Sequence, residues 1–329
     1  MAILVVGGAG YIGSHTVHEL AGRGAEVVVV DNLVTGHAQS VHPRARLLRG
    51  DIRDEAFLDN LFENERIDSA IHFAASSLVG ESMTDPLKYY DNNLHGTMVL
   101  LRSMMRHGVG KIVFSSTAAT YGEPENIPIL ESDCNRPENP YGETKLAMER
   151  MFYWTAQAGG PRFVSLRYFN ASGAVAGGAI GEDHRPESHL IPLILQVANG
   201  QREFVNVFGD DYPTPDGTCV RDYIHVTDLA QAHIRAVEYL DREGESDIFN
   251  LGNGVGFSVM EVVEMCRRVT GHAIPVEMSP RRPGDPAQLV ASSEKARRVL
   301  GFAPEHSGIE EIVASAWEWH KNHPHGFKD

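Results

Sequence analysis

The sequence is short of the features that mark several classes of protein. It has three cysteines in 329 residues, Cys134, Cys219 and Cys266. An odd and widely spaced set gives neither a disulfide framework nor a zinc-finger spacing, so a reducing compartment fits and a cytoplasmic location is expected. Positive charge is also scarce, with 29 Lys and Arg against 44 Asp and Glu, for a net charge of −15. That balance argues against an extended footprint on nucleic acid or on an anionic membrane, but not against a local phosphate site. No apolar run approaches the ~20 residues that span a bilayer. The opening MAILVV has no basic segment before its apolar residues and reads as a first strand rather than a targeting peptide. Sixteen histidines are present without a convincing ligand spacing, so no metal is expected; His323 and His325 flank Pro324 in a tail expected to fray.

What is present is ordinary for a globular chain: 42% hydrophobic and 22% charged residues, enough for a sizeable core. Strand-like runs fall at 2–7, 25–31, 46–49, 69–73, 111–116 and 162–167. The unbroken VVVV of the second is typical of a strand buried on both faces. Helical periodicity lies between the runs, at 11–23, after the cap residue Asp54, after Asp85 and Pro86, and from NPYGETK to about 158. In the third of these helices Leu87, Tyr90, Leu94, Met98 and Leu101 are expected to share one face. Alternating strand and helix with short joins predicts an α/β fold with a doubly wound parallel sheet. After Arg167 the character changes. Residues 173–220 are rich in Gly, Pro and Asp and read as binding loops, with Leu190 opening a short apolar helix. Ser258 with Glu261 and Ser307 with Glu310 read as capping boxes of two later helices. Cys266, among Val262, Val263 and Val269, reads as core.

Three segments carry chemistry. In VVGGAGYIGSH the overlapping patterns of Gly7, Gly8, Gly10 and Gly13 join an apolar strand to a helix. Missing Cβ atoms there let the backbone approach a pyrophosphate at the helix N-terminus. Asp31 ends the second strand, 18 residues after Gly13, where a carboxylate accepts from ribose hydroxyls and repels a 2′-phosphate, favouring NAD. Asp51 follows the third strand, within reach of an adenine amino group. In YGETK, Tyr141 and Lys145 are one helical turn apart. A nearby ammonium and a nicotinamide cation are expected to lower the phenol pKa and make it a general base. Thr117, in FSSTAATYG, sits at the carboxyl end of a strand and can bond both the phenol and a substrate hydroxyl.

These segments, with DNL, GDIRD, YYDNN, LRYFN, YPTPDGTCVRDYIHV and RRPGD in the same order, give the chain a resemblance over nearly its whole length. It resembles the UDP-glucose 4-epimerase (UDP-galactose 4-epimerase) family of extended short-chain dehydrogenases/reductases. The resemblance implies a Rossmann-type domain of residues 1–172 plus roughly 221–258. It implies a smaller, mixed C-terminal substrate-binding domain of 173–220 plus 259–329. It implies an isomerase with bound NAD, acting on UDP-glucose and UDP-galactose as a homodimer through the helices at 87–105 and 141–158. Tyr141 is then the base, Lys145 its support and Thr117 a proton relay. Gly7, Gly10, Gly13, Tyr11, Ile12, Asp31, Asn32, Asp51, Ile52, Phe73, Ala74, Ala75, Asn93 and Phe169, together with Tyr141 and Lys145, line the NAD site. Asn170, Leu190, Arg221, Arg282 and Asp285 hold the uridine diphosphate beside Thr117 and Tyr141.

The chain departs from the family at Ser77, where a lysine is usual, at Leu289, the position that gates the sugar, and at His189, often an asparagine. UDP-N-acetylhexosamines therefore stay open as substrates. A 4,6-dehydratase is disfavoured because Ala118 and Ala119, which follow Thr117, carry no ionisable group. A non-catalytic NAD-dependent regulator is a more distant alternative.

Overall fold

A computed structural model describes residues 2–282, 285–306 and 308–328. In chain order the first half runs β1 (Ala2–Val6), α1 (Tyr11–Gly22), β2 (Val27–Asp31), β3 (Arg46–Arg49), α2 (Glu55–Asn64), β4 (Ile67–His72), α3 (Val79–Thr84), α4 (Pro86–Tyr89), α5 (Gly96–Arg106), β5 (Lys111–Ser115), α6 (Pro140–Gln157) and β6 (Arg162–Tyr168). The second half continues with β7 (Asn170–Ser172), α7 (Leu190–Ala198), β8 (Val205–Phe208), β9 (Val220–His225), α8 (Val226–Asp241), β10 (Asp247–Leu251), β11 (Gly256–Ser258), α9 (Val259–Thr270), β12 (Val276–Ser279), β13 (Gln288–Leu289), α10 (Glu294–Leu300) and α11 (Ile309–Asn322).

Seven strands form one parallel sheet in the order β10-β6-β5-β4-β1-β2-β3. The doubly wound sheet is the one expected, with β10 as an additional edge strand. Successive residues feed opposite faces. Leu4, Val6, Val28 and Val30 pack with Leu58, Leu100, Met104 and Met148. Val5, Val27 and Val29 pack on the other face with Val17, Leu20, Leu229 and Val237. Each such side chain contributes about 1.5–3 kcal/mol on burial, and both faces need that cover before a parallel sheet is stable. A separate core joins Ile191, Ile194, Leu195, Tyr223, Val262, Cys266, Ile312 and Val313. Cys266 is core, as read, and burial pushes its thiol up to about 12. Here β9 pairs with β7 and β13 in parallel and with β11 in antiparallel, while β8 pairs with β12. Among the described residues no helix is long and apolar enough to cross a membrane.

Local signals were read correctly where they are short-range. Asp54 accepts from Phe57 N, Asp85 from Lys88 N, and Ser258 forms the full capping box with Glu261. Helix α11 instead has Gly308 at its N-cap, and Ser307 lies outside the described residues.

One expected face is corrected. Residues 86–106 are helical throughout, but Tyr90–His95 form a π turn between α4 and α5. The wider turn shifts the phase, so Tyr89, Asn93, Thr97, Leu100 and Met104 are buried. Leu101 is buried, but Leu87 is 77% and Tyr90 39% exposed.

The tightest packing lies in the β1–α1 turn. Gly7 has φ +79°, and a Cβ on Gly13 would stand 2.2 Å from Gly7 O. Gly22, at the end of the same helix, faces open space. Gly13→Ala is therefore expected to destabilise by about 1–3 kcal/mol, and Gly22→Ala to be neutral or stabilising by up to about 1 kcal/mol, in urea unfolding. Equal midpoints for the two variants would contradict this account of the turn.

Candidate active site

The carboxyl ends of β1, β2, β4 and β5 converge where the strand order reverses, the position at which doubly wound sheets bind ligands. Gly10 caps α1 without a side-chain bond, and the first turn holds no acidic residue. The amides at Tyr11 and Ile12 therefore face an anion site with the favourable end of the helix dipole. Phe73 N and Ala74 N both donate to Val6 O, at 2.8 and 3.1 Å, which draws the β4 exit against the turn. A Cβ on Gly7 would lie 2.6 Å from Ala74 N. Glycine there lets the turn pack directly on the β4 exit, where any side chain would collide with the Ala74 backbone.

Asp31 is buried at the end of β2. Its Oδ2 accepts from Ala9 N at 3.0 Å and its Oδ1 from Leu33 N at 2.9 Å. Burial raises its pKa, and the two amides work against that. Asn32 donates to Asp51 at 3.2 Å, and Arg53 grips both Asp51 oxygens at 2.8–2.9 Å. That grip holds the Asp51 carboxyl well below the usual range. Ile52 packs beneath Gly96. Asn93 spends its amide on the protein, joining Ser76 N and O to Thr144 Oγ1 at 2.8–3.1 Å. It is a strut between the β4 exit, where Ala75 lies, and α6.

Asn139 caps α6, accepting from Gly142 N at 2.9 Å, and so aims Tyr141 and Lys145 at the end of β5. Thr117 accepts from Ala119 N at 3.1 Å, and its hydroxyl acts to lower the pKa of the Tyr141 phenol. Lys145 Nζ donates to Ser115 O at 2.8 Å and lies 4.8 Å from the Phe114 ring and 5.9 Å from the Tyr141 ring. The three residues expected to do chemistry are thus adjacent.

The protein by itself does not supply the lowering of the phenol pKa expected from the ammonium and a nicotinamide cation together. Burial raises the Tyr141 pKa, with only the Thr117 bond lowering it. The reason is direction: the ammonium of Lys145 is spent on the Ser115 carbonyl. Burial also lowers Lys145 to about 7, against the pull of Glu149.

Behind this pair is a network that the sequence reading missed. Glu149 accepts from Ser116 Oγ at 2.6 Å and from Arg167 at 2.5 and 2.9 Å, with both partners of the ion pair buried. Arg167 stacks on Tyr121 at 4.7 Å, and Tyr121 donates to Asn250. The i, i+4, i+8 spacing of Tyr141, Lys145 and Glu149 was the available signal.

On the opposite wall, Phe169 and Leu289 pack with Ala118, Tyr121 and Ile129. Asn170 Nδ2 donates to Asp222 O at 3.0 Å. Arg221 pairs with Asp285, whose amide donates to Arg282 O at 3.3 Å, and Arg282 lies 4.1 Å over the Phe208 ring. Leu289 is in register with Arg221, and Leu190 begins α7. Asp285 thus links Arg221 through its side chain and Arg282 through its backbone, while Pro283 and Gly284 lie outside the described residues.

A glycine turn at a helix N-terminus and a sheet switch point, with a half-buried tyrosine and a buried lysine at the end of β5, has the arrangement of a nucleotide-cofactor site of the Rossmann type. A sequence model of the NAD dependent epimerase/dehydratase family matches residues 3–252. The UDP-glucose 4-epimerase of Halalkalibacterium halodurans is 62% identical, over 99% of this chain and 98% of that protein. A crystal structure of a UDP-glucose 4-epimerase superposes with TM-score 0.98 at 55% identity, covering all of both chains. That of Bifidobacterium longum, in complex with NAD+ and UDP, gives 0.94 at 41% identity, over 99% of this chain and 100% of that one. The chain belongs to the NAD-dependent epimerase/dehydratase family.

The buried ion pair gives a test of the scaffold. Arg167→Met is expected to cost about 3–5 kcal/mol by stranding Glu149, and Glu149→Leu with Arg167→Met together to cost less than that single change. Thermal or urea unfolding of the two variants decides it; an unaffected single variant would show the pair to be dispensable.

Proposed function

We propose that the chain interconverts UDP-glucose and UDP-galactose, using NAD, by inverting sugar carbon 4. The observation that carries this reading is the placing of Tyr141 one helical turn from buried Lys145, whose Nζ lies 5.9 Å from the phenol ring and bonds Ser115 O at the carboxyl end of β5. Gly7, Gly10 and Gly13 with the amides of Tyr11 and Ile12 would hold the pyrophosphate of NAD. Asp31 and Asn32 would hold its ribose and Asp51 and Ile52 the adenine side, with Phe73, Ala74, Ala75, Asn93 and Phe169 around the rest. Bound NAD supplies a hydride acceptor at carbon 4 that returns the same hydride to the opposite face.

The residues of the chain do the remainder. Tyr141 takes the proton of the carbon 4 hydroxyl, and Thr117 shares the hydrogen bond. Lys145 supports the phenolate with a charge that its buried position makes titratable near neutrality. Arg221 and Arg282 clamp the diphosphate, with Asp285 toward the ribose and Asn170 and Leu190 completing the grip. The 4-keto sugar, held only through its diphosphate, turns over, and Tyr141 returns the proton on completion. The two domains expected from the sequence divide this labour, cofactor on the large sheet and nucleotide sugar on the smaller one.

The reading includes a homodimer through α4–α5 and α6. It is supported by the apolar surface these helices leave outward, with Leu87 77%, Trp154 69% and Tyr153 48% exposed.

Purified protein given UDP-galactose is expected to form UDP-glucose. Turnover of UDP-N-acetylgalactosamine alone in a parallel reaction would overturn the sugar assignment. Tyr141→Phe is expected to lower the rate about 10²–10⁴-fold with cofactor content unchanged, measured in a coupled assay and a denatured extract. Since the Thr117 bond lowers the phenol pKa, Thr117→Val is expected to move the rising limb of the pH–rate profile to higher pH, and Thr117→Ser to leave it in place. A profile that does not move in the valine variant would remove Thr117 from the proton path.

A further inference from the structure

The segment between β7 and α7 folds Glu182, His184, Glu187 and His189 onto one point. One ligand atom from each lies within 4.8 Å of all the others. His184 Nδ1 is 3.2 Å from Glu182 Oε1 and 3.7 Å from Glu187 Oε2. His189 Nδ1 is 2.7 Å from Glu182 Oε1 and 3.2 Å from Glu187 Oε1. Four ligand atoms set tetrahedrally at zinc bond lengths stand about 3.4 Å from one another, and these separations bracket that value.

Both carboxylates are withdrawn from water. Glu182 is 4% exposed, and the Glu187 side chain 6%. Buried Glu182 Oε1 and His184 Nδ1 nonetheless have no aligned hydrogen bond among the described residues. Glu187 Oε1 accepts from Ser188 N at 2.7 Å and from His189 N at 2.8 Å and pairs with His189 Nδ1 at 3.2 Å, which leaves its Oε2 beside Glu182 Oε1 and His184 Nδ1 for a shared centre. Two carboxylates and two neutral imidazoles also balance the charge of a divalent cation, and this donor set suits zinc. The sequence reading saw no ligand spacing among the histidines because it weighed them without the glutamates; E-x-H-x-x-E-x-H was the signal.

We propose that Glu182, His184, Glu187 and His189 form a structural divalent-metal site of the zinc class that fastens their segment beside the glycine turn. The surroundings fit that role. The Tyr11 ring meets His184 edge-on at 6.2 Å. Asp183, between the ligands, lies 3.3 Å from His37 Nε2 and accepts from Phe327 N at 2.9 Å. Leu190, the next residue, begins α7. Four protein ligands leave no open coordination position, so the ion anchors the segment and takes no part in chemistry. The site stands independently of the sugar reaction proposed above.

The test uses the untagged full chain with its cofactor, treated with a chelator, gel-filtered and titrated with zinc chloride by calorimetry. About one zinc per chain is expected, with a higher melting temperature when it is bound. Cobalt chloride should give the visible absorption bands of a tetrahedral ion. Glu182→Gln and His184→Ala should each weaken zinc at least about 100-fold, while His325→Ala should not. The wild-type cobalt spectrum decides the matter if those variants fail to fold. Absence of stoichiometric uptake by the wild-type chain, an octahedral cobalt spectrum, or unchanged affinity in folded Glu182 and His184 variants would overturn the site and leave four ion-paired side chains.

Discussion

The contact between the first turn and the end of β4 is the constraint on which the site depends. The backbone at Gly7, Gly13 and Ala74 comes together at distances that exclude a Cβ. That approach sets the N-terminus of α1 over the carboxyl end of β1, beside buried Asp31 and alongside Phe73 and Ala74. It occurs where the chain, having wound outward through β2 and β3, returns to β4 on the other side of β1. A crevice at that reversal needs no further construction, because no crossover helix covers it. The side chains that give it chemistry are carried by neighbouring elements held in register by the same sheet.

Charge is managed locally in a chain of net charge −15. Among the cations near the crevice, Lys145, Arg167, Arg221 and Arg282 stand in different relations to it. Arg167 is locked to Glu149 and structural. Lys145 rests on a carbonyl and an aromatic ring and is left with a pKa of about 7. Arg221 shares Asp285, and Arg282 lies over an aromatic ring. A buried lysine held without a carboxylate partner on its nitrogen is an expensive arrangement. It is sustained by Phe114, Ser115 and the Glu149 field, and it gives a charge that responds to what enters the crevice.

Much of the fold was legible because its signals are local. The alternation of valine-rich runs with amphipathic stretches, the caps at Asp54, Asp85 and Ser258, and the glycine spacing each depend on residues a few positions apart. The grouping of Tyr141, Lys145 and Thr117 was legible for a related reason: Tyr141 and Lys145 share a helix turn, and Thr117 follows a strand end. The buried face of residues 86–106 was not, because a single π turn re-phases a helix and leaves no mark in its apolar pattern. Nor was the Glu149–Arg167 pair, whose partners come from α6 and β6.

The sequence by itself determined the order of the first six strands and the helices between them, the placing of the glycines at a strand-to-helix turn, and which residue types meet on one helix. Periodicity and spacing suffice for these, since they follow from the geometry of one element. Only the tertiary structure decided the sign of the Tyr141 shift, the role of Asn93 as a strut, and the convergence of Glu182, His184, Glu187 and His189. Each of these depends on how much water is excluded and on which groups from distant segments share the space, and neither is a property of a local run of residues.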